Sequence, residues 1–82
     1  MELTIRIGLT EPIMSRQAAD ISSRMSEFGA RVLLRRGNTT VNAKSLMGLM
    51  SLGLSGGQAV TVVATGEDEA AAARELARLL GA

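Results

Sequence analysis

A chain of 82 residues with 46% apolar composition is long enough for one small domain, residues 1–82, with a single core. A net charge of +1 gives no electrostatic argument for nucleic acid, and the only aromatic residue, Phe28, cannot stack many bases. The absence of cysteine excludes disulfides, thiol catalysis and zinc–thiolate sites. No apolar run is long enough to span a membrane and the first residues lack a signal sequence, so we expect a soluble, cytoplasmic protein.

The first half of the chain predicts a strand followed by a helix. Apolar and polar residues alternate over residues 3–9, which indicates a half-buried strand with its odd-numbered residues inward. A helix is predicted from Ser15 to Phe28, with Gly29 as its C-cap. The apolar residues that predict it recur at steps of three and four: Ala18, Ile21, Met25 and Phe28.

The second half predicts a hairpin, a short helix, a strand and a final helix. The hairpin arms are residues 31–36 and 39–42, joined by a turn at Gly37 and Asn38, both of which tolerate positive φ. Ser45 occupies the N-cap position of the short helix, and Val-rich residues 59–65 predict the last strand. Acidic residues 67–69 suit the start of the final helix. The residues that this helix is predicted to bury are Ala72, Ala73, Leu76, Leu79 and Leu80.

The element order predicts an α+β open sandwich with helices on one face of the sheet. The stretch from Val41 to Leu54, VNAKSLMGLMSLGL, resembles the regulatory-serine segment of the HPr family, the phosphocarrier proteins of the bacterial sugar phosphotransferase system. Length, element order and turns also resemble that family. The resemblance implies an HPr-like open-faced sandwich, whose four-stranded antiparallel sheet has the order 1-4-2-3 and is covered on one face by three helices.

The resemblance fails where an HPr carries its phosphorylated histidine. The family motif reads Gly-Ile/Leu-His-Ala/Thr-Arg-Pro-Ala, and residues 12–18 here read Pro-Ile-Met-Ser-Arg-Gln-Ala. Met14 takes the place of the histidine, and the chain contains no histidine at all. A thioether has no titratable nitrogen to hold a phosphoryl group, and Ser15 has no general base beside it in sequence. We therefore expect neither an enzyme nor a working phosphocarrier, with no catalytic residue, metal or cofactor.

Departures from the family pattern concentrate at residues 11–17 and on the outer side of the first helix, which indicates a rewritten surface on a retained scaffold. In an HPr, the start of the first helix and the middle helix dock partner proteins. The resemblance implies a protein-binding surface here, with Ile13 and Met14 as an exposed apolar centre, while Leu46 and Leu49 are assigned to the core. The predicted partner-binding residues are Glu11, Pro12, Ile13, Met14, Ser15, Arg16, Gln17, Asp20, Ser23, Arg24, Met47 and Met50.

Three functions stay open at this stage. The chain is a natural histidine-less relative of HPr that acts as a regulatory binding module; bacilli have such a paralogue, which docks a transcriptional repressor. Alternatively, it is a designed or engineered binder or inhibitor built on an HPr scaffold. A third alternative is a phosphotransferase-system regulatory protein that acts through phosphorylation of Ser45, which matches the serine modified by an ATP-dependent kinase in Gram-positive HPr proteins. A protein partner is expected, but no nucleic acid, membrane or small-molecule substrate.

Overall fold

A four-stranded antiparallel sheet, covered on one face by helices, forms the framework of the molecule. The computed structural model describes all residues from 1 to 82. The elements are β1 (Glu2–Arg6), α1 (Ser15–Met25), β2 (Arg31–Arg36), β3 (Thr39–Asn42), α2 (Leu46–Ser51), β4 (Ala59–Thr65) and α3 (Glu69–Leu79). The strand order is β1-β4-β2-β3, with every neighbouring pair antiparallel. The predicted fold class and strand order are confirmed.

The register of the strands separates an apolar face from a polar one. Ile5 lies opposite Val60, and Leu34 lies opposite both Val62 and Val41, so apolar side chains from adjacent strands share the face that the helices cover. Nineteen buried residues form one continuous core there. The other face carries polar pairs such as Thr4 and Thr61, whose hydroxyl oxygens lie 3.2 Å apart. Alternation along each strand therefore produces the one-sided sandwich.

Helix α1 ends three residues earlier than the sequence predicts. Its last residue is Met25, and Ser26 is the C-cap, with its hydroxyl donating to the Ser22 carbonyl at 2.7 Å. Gly29 does not adopt positive φ, so its prediction as the C-cap is wrong. Instead, the Gly29 amide donates to Asp68, at the start of α3, at 2.9 Å. This tertiary hydrogen bond draws the chain out of the helix.

Three smaller differences from the sequence prediction concern the end of β1, the hairpin turn and the burial of Leu79. Strand β1 ends at Arg6 because the ladder becomes irregular at the next residue: the Ile7 amide still donates to the Gln58 carbonyl (2.9 Å), but the Ile7 carbonyl accepts from Gly57 (2.8 Å) and not from Gln58. In the hairpin turn only Gly37 has positive φ, at 59°, whereas Asn38 does not. That arrangement is typical of a two-residue turn that needs glycine at its first central position. Leu79 is half-buried and packs on the rim of the core, while Leu80 is fully buried.

The loop from β1 to α1 runs against two other backbone segments. A Cβ atom on Gly8 would collide with the Gly81 carbonyl, and one on Gly56 would collide with the Leu9 carbonyl. The Gly8 amide donates to the Leu80 carbonyl at 3.0 Å, and the Gly57 amide donates to Ile7 at 2.8 Å. Glycine at these positions permits the close approach that holds the loop in place.

An ion-pair network joins α1 to α3. The Arg24 Nε atom donates to Glu75 Oε2 at 2.7 Å, and Arg78 donates to the other oxygen of the same carboxylate. These hydrogen bonds, first that from Arg78 and then that from Arg24, lower the pKa of Glu75 to about 2. The Glu75 side chain is only 13% exposed, so it is partly shielded from solvent between the two arginines.

Glu75→Gln should remove an acid-dependent component of stability. Because the pKa of Glu75 is lowered from 4.5 to about 2 by folding, its contribution is fully present above pH 4.5 and is lost as the pH falls towards 2. The difference in unfolding free energy between wild type and Glu75→Gln should therefore shrink over that window. Urea denaturation from pH 7 to pH 2 measures it. Glu67→Gln is the matched control, because Glu67 is exposed and makes no ion pair. An equal pH dependence in both variants would contradict this assignment.

Candidate functional site at the start of α1 and along α2

Ile13, in the loop that leads into α1, is buried in the core. Its amide donates to the Leu54 carbonyl at 2.9 Å, and its side chain is only 8% exposed and belongs to the core. The prediction that Ile13 forms an exposed apolar centre is wrong. The backbone hydrogen bond to the segment after α2 turns this residue inward, a tertiary constraint that the local sequence does not reveal.

Met14, the next residue, is directed outward. It is the N-cap of α1, and its side chain is 64% exposed. Its amide donates to Gln17 Oε1 at 3.2 Å, which is one half of a capping box, and its carbonyl accepts the Ala18 amide at 2.9 Å. Hydrogen bonds therefore fix the backbone of Met14, while its side chain extends into solvent.

Helix α2 presents further apolar side chains to solvent. Ser45 is its N-cap, as predicted, with Oγ accepting the Gly48 amide at 3.1 Å. Leu49 is 1% exposed and is the only residue of α2 that is buried. Leu46 is 37% exposed, so its assignment to the core is wrong; it occupies the first residue of α2, and the side chains that enter the core are Leu49 and the C-cap Leu52. Met47 and Met50 are 76% and 44% exposed, which confirms their predicted exposure.

The two groups of exposed residues lie on neighbouring elements. Helices α1 and α2 pack against each other, and the hydrogen bond from Ile13 to Leu54 brings the residue before Met14 to the end of α2. We call these exposed side chains the methionine patch, which consists of Met14, Leu46, Met47 and Met50. Apart from Met1, no other large apolar side chain of the chain is exposed. Such a concentration of exposed apolar side chains is typical of a contact surface.

The polar residues predicted around the patch divide into two sets. Most are solvent-exposed and free of ion pairs: Glu11, Ser15, Arg16, Asp20 and Ser23. Arg24 differs, since it also pairs with Glu27 at 3.0 Å and lies 5.8 Å from the centre of the Phe28 ring. At about 1.5 Å of rise per residue, Arg24 lies about 15 Å along the helix from Met14. The structure therefore places Arg24 in the α1–α3 network, away from the methionine patch.

A shallow depression opens beside the start of α1. Its volume is about 170 Å³, and it is lined by Leu9, Thr10, Glu11, Pro12, Ile13 and Gln17. Sequence reasoning did not single out Leu9 or Thr10, because only the folded loop brings them beside Gln17. No group of three or more histidine, cysteine, aspartate or glutamate residues has a geometry that could hold a metal ion. None of the helices has the length and apolar character needed to cross a bilayer.

The strand order β1-β4-β2-β3 and the helices on one face place this structure in the class of α+β open-faced sandwiches. A sequence model described as "PTS HPr component phosphorylation site" matches residues 1–82. The HPr-like protein Crh of Bacillus subtilis is 41% identical over 73 residues, which cover 89% of this chain and 86% of Crh. The chain therefore belongs to the HPr family.

Further similarities extend over nearly the whole chain. The phosphocarrier protein HPr of Treponema pallidum is 36% identical over 76 residues, which cover 93% of this chain and 86% of that protein. The crystal structure of HPr-C-His from Thermoanaerobacter tengcongensis superposes with a TM-score of 0.89 at 38% identity, covering 99% of this chain and 91% of that one.

Substitutions at the two adjacent residues should differ strongly in their effect on stability. Ile13→Ala should lower the free energy of unfolding by about 2–4 kcal/mol, because it leaves a cavity in the core. Met14→Ala should change it by less than about 0.5 kcal/mol, because the side chain is exposed and its backbone bonds persist. Urea denaturation of both variants at neutral pH measures the difference. Similar losses in the two variants would show that the inward and outward orientations are wrongly assigned.

Proposed function

We propose that this chain is a non-catalytic, HPr-like binding module that docks a partner protein through the methionine patch. The observation that carries the proposal is the exposure of Met14 (64%) and Met47 (76%) on two packed helices, in a molecule whose other large apolar residues, apart from Met1, Leu46 and Met50, are buried or half-buried. Methionine side chains adapt their shape to a partner, and apolar centres supply most of the binding energy of an interface.

The exposed polar residues around the patch complete the proposed interface. Pro12 stiffens the approach to the helix, which limits the entropy lost on binding. Arg16 and Asp20 are exposed and unpaired, so they are available as a polar rim. Ile13 supports the patch from within the core and makes no direct contact with the partner, and Arg24 acts mainly by holding α1 against α3.

The side chains at the start of α1 support the proposal that this binding module does not transfer phosphoryl groups. The N-cap that leads the helix is methionine, which has no nitrogen or oxygen nucleophile, and the chain contains no histidine elsewhere. The neighbouring hydroxyl of Ser15 has no hydrogen-bonded base, so nothing activates it as a nucleophile. We propose that the protein is neither an enzyme nor a phosphocarrier.

The pattern of identity favours a natural origin over an engineered one. Crh of B. subtilis shares 41% of residues across 89% of this chain, so more than half of the aligned positions differ. A binder built on an existing scaffold would keep most of the chain and change one surface. Differences at that many positions extend beyond a single surface, as expected from the divergence of a natural regulatory relative.

Phosphorylation of Ser45 is a second candidate function. Its hydroxyl is half-buried, caps α2 and lies one residue before the methionine patch begins at Leu46. A phosphate at this position keeps acceptor oxygens near the start of the helix, where negative charge is favoured. Modification there would add charge at the edge of the proposed docking surface and so alter the choice of partner.

Incubation with purified enzyme I and labelled phosphoenolpyruvate should leave the chain unlabelled. The reason is that Met14 offers no atom that can form a phosphoramidate. A histidine-containing HPr in a parallel reaction is the positive control. Acid-labile label on this chain, detected after gel separation, would overturn the proposal. Met14→His is expected to restore little transfer, because Pro12 and Gln17 also replace the glycine and proline of the family motif.

Charge placed in the methionine patch should weaken partner binding, whereas charge placed elsewhere should not. The partner is first captured with the wild-type chain, identified by mass spectrometry and purified. Met47→Ala should then cost about 1–3 kcal/mol of binding free energy by calorimetry, and Met14→Asp and Met47→Asp should cost more. Arg74→Glu, on the exposed side of α3 and free of ion pairs, is the control. Binding that survives both Asp substitutions but falls with Arg74→Glu would show that the surface is wrongly placed.

A further inference from the structure

The five methionines of the chain fall into two environments. Met47, Met14 and Met50 are 76%, 64% and 44% exposed, and Met1 is 41% exposed. Met25, the last residue of α1, is fully buried in the core, at 0% exposure. Three of the exposed methionines therefore belong to the methionine patch, on the packed helices α1 and α2, and the one methionine that packs the core is shielded from solvent.

Hydroperoxides react with thioethers that they can reach. A sulfur lone pair attacks the terminal oxygen of the hydroperoxide and the O–O bond breaks. The transferred oxygen passes its proton to the leaving oxygen and becomes the S=O oxygen, and the leaving oxygen departs as water from hydrogen peroxide or as an alcohol from an alkyl hydroperoxide. The sulfur loses two electrons and the peroxide is reduced by two. The product, methionine sulfoxide, is polar, and methionine sulfoxide reductases return it to the thioether.

We propose that Met14, Met47 and Met50 are sites of reversible oxidation by hydroperoxides, and that their oxidation switches off docking at the methionine patch. The regulatory half of this proposal rests on the docking function proposed above. Oxidation would replace the apolar centre of the patch by sulfoxide dipoles, which must be desolvated when a partner covers them.

The geometry allows this change without unfolding. The sulfurs of Met14, Met47 and Met50 are not part of the core cluster, and each residue is held by other groups. Met14 is fixed through its backbone, by hydrogen bonds to Gln17 and Ala18. Helix α2 is fixed by buried Leu49 and by the Ser45 cap. Oxidation of Met25 would instead introduce a polar group into the core, and its burial prevents that reaction in the folded state.

The first test follows oxidation residue by residue. The folded chain is treated with hydrogen peroxide, and sulfoxide formation is measured by peptide mass spectrometry against the same chain in urea. The three patch methionines should react at rates within about threefold of their rates in urea, whereas Met25 should be slowed at least about tenfold, because only exposed sulfurs are accessible. Protection of the patch methionines, or oxidation of Met25 at the unfolded rate, would overturn the proposal.

The second test measures the polarity of the patch without any partner. Retention of the folded protein on a phenyl column should fall after peroxide treatment and return after incubation with methionine sulfoxide reductases. The triple variant Met14→Leu, Met47→Leu, Met50→Leu is compared with its own untreated sample. Its retention should fall much less than that of wild type, because only exposed Met1 remains to be oxidised, and formation of the Met1 sulfoxide shows that peroxide acted. A loss of retention in the triple variant equal to that of wild type would refute the role of the patch sulfurs.

The third test links oxidation to docking and separates the two proposals. With the purified partner, oxidised wild type should bind at least about tenfold more weakly than reduced wild type, with recovery after reductase treatment, because sulfoxides disrupt methionine-rich interfaces. Unchanged affinity after oxidation of all three patch methionines would overturn the switch while leaving docking intact. Insensitivity of the reduced protein to Met47→Asp would overturn the docking site itself.

Discussion

The hydrogen bond from the Ile13 amide to the Leu54 carbonyl is the constraint on which the surface of this molecule depends. It joins the loop before α1 to the segment after α2, two parts of the chain that are distant in sequence. One consequence is that Ile13 enters the core while Met14 faces solvent. The other is that the loop leading into α1 is tied to the segment after α2, while α1 and α2, which carry the exposed side chains, pack against each other. The glycines at positions 8 and 56 make this possible by letting the loop pass close to other backbone.

Within both α1 and α2, the residues buried in the core differ from those exposed to solvent. In α1, the N-cap Met14 is exposed while Met25 at the other end is fully buried. In α2, Leu49 is the buried residue, and its apolar neighbours remain on the surface. Because the exposed side chains contribute little to the core, their chemistry can change without loss of the fold.

Polar groups at the far end of α1 have a mainly structural role. Arg24 and Arg78 share the carboxylate of Glu75, and Asp68 accepts the amides of Gly29 and Ala30 at 2.9 and 2.7 Å. Hydrogen bonding, first from the Gly29 amide, lowers the pKa of Asp68 below its usual value. Together these contacts fix α3 against α1 and the following loop. The N-terminal end of α1 is thus free of ion pairs, while the C-terminal end is fixed by them.

The sequence by itself determined the kind of fold, because period-two and helical patterns of apolar residues mark which face of each element is buried. It also determined the chemistry that Met14 cannot perform, since that depends only on the identity of a side chain. Only the tertiary structure decided where α1 ends, because the Gly29 amide finds its acceptor in Asp68, almost forty residues away. Likewise, adjacent apolar residues at 13 and 14 look equivalent in sequence. The long-range hydrogen bond to Leu54 separates them into a core residue and a surface residue, and packing against α2 assembles the methionine patch around the second.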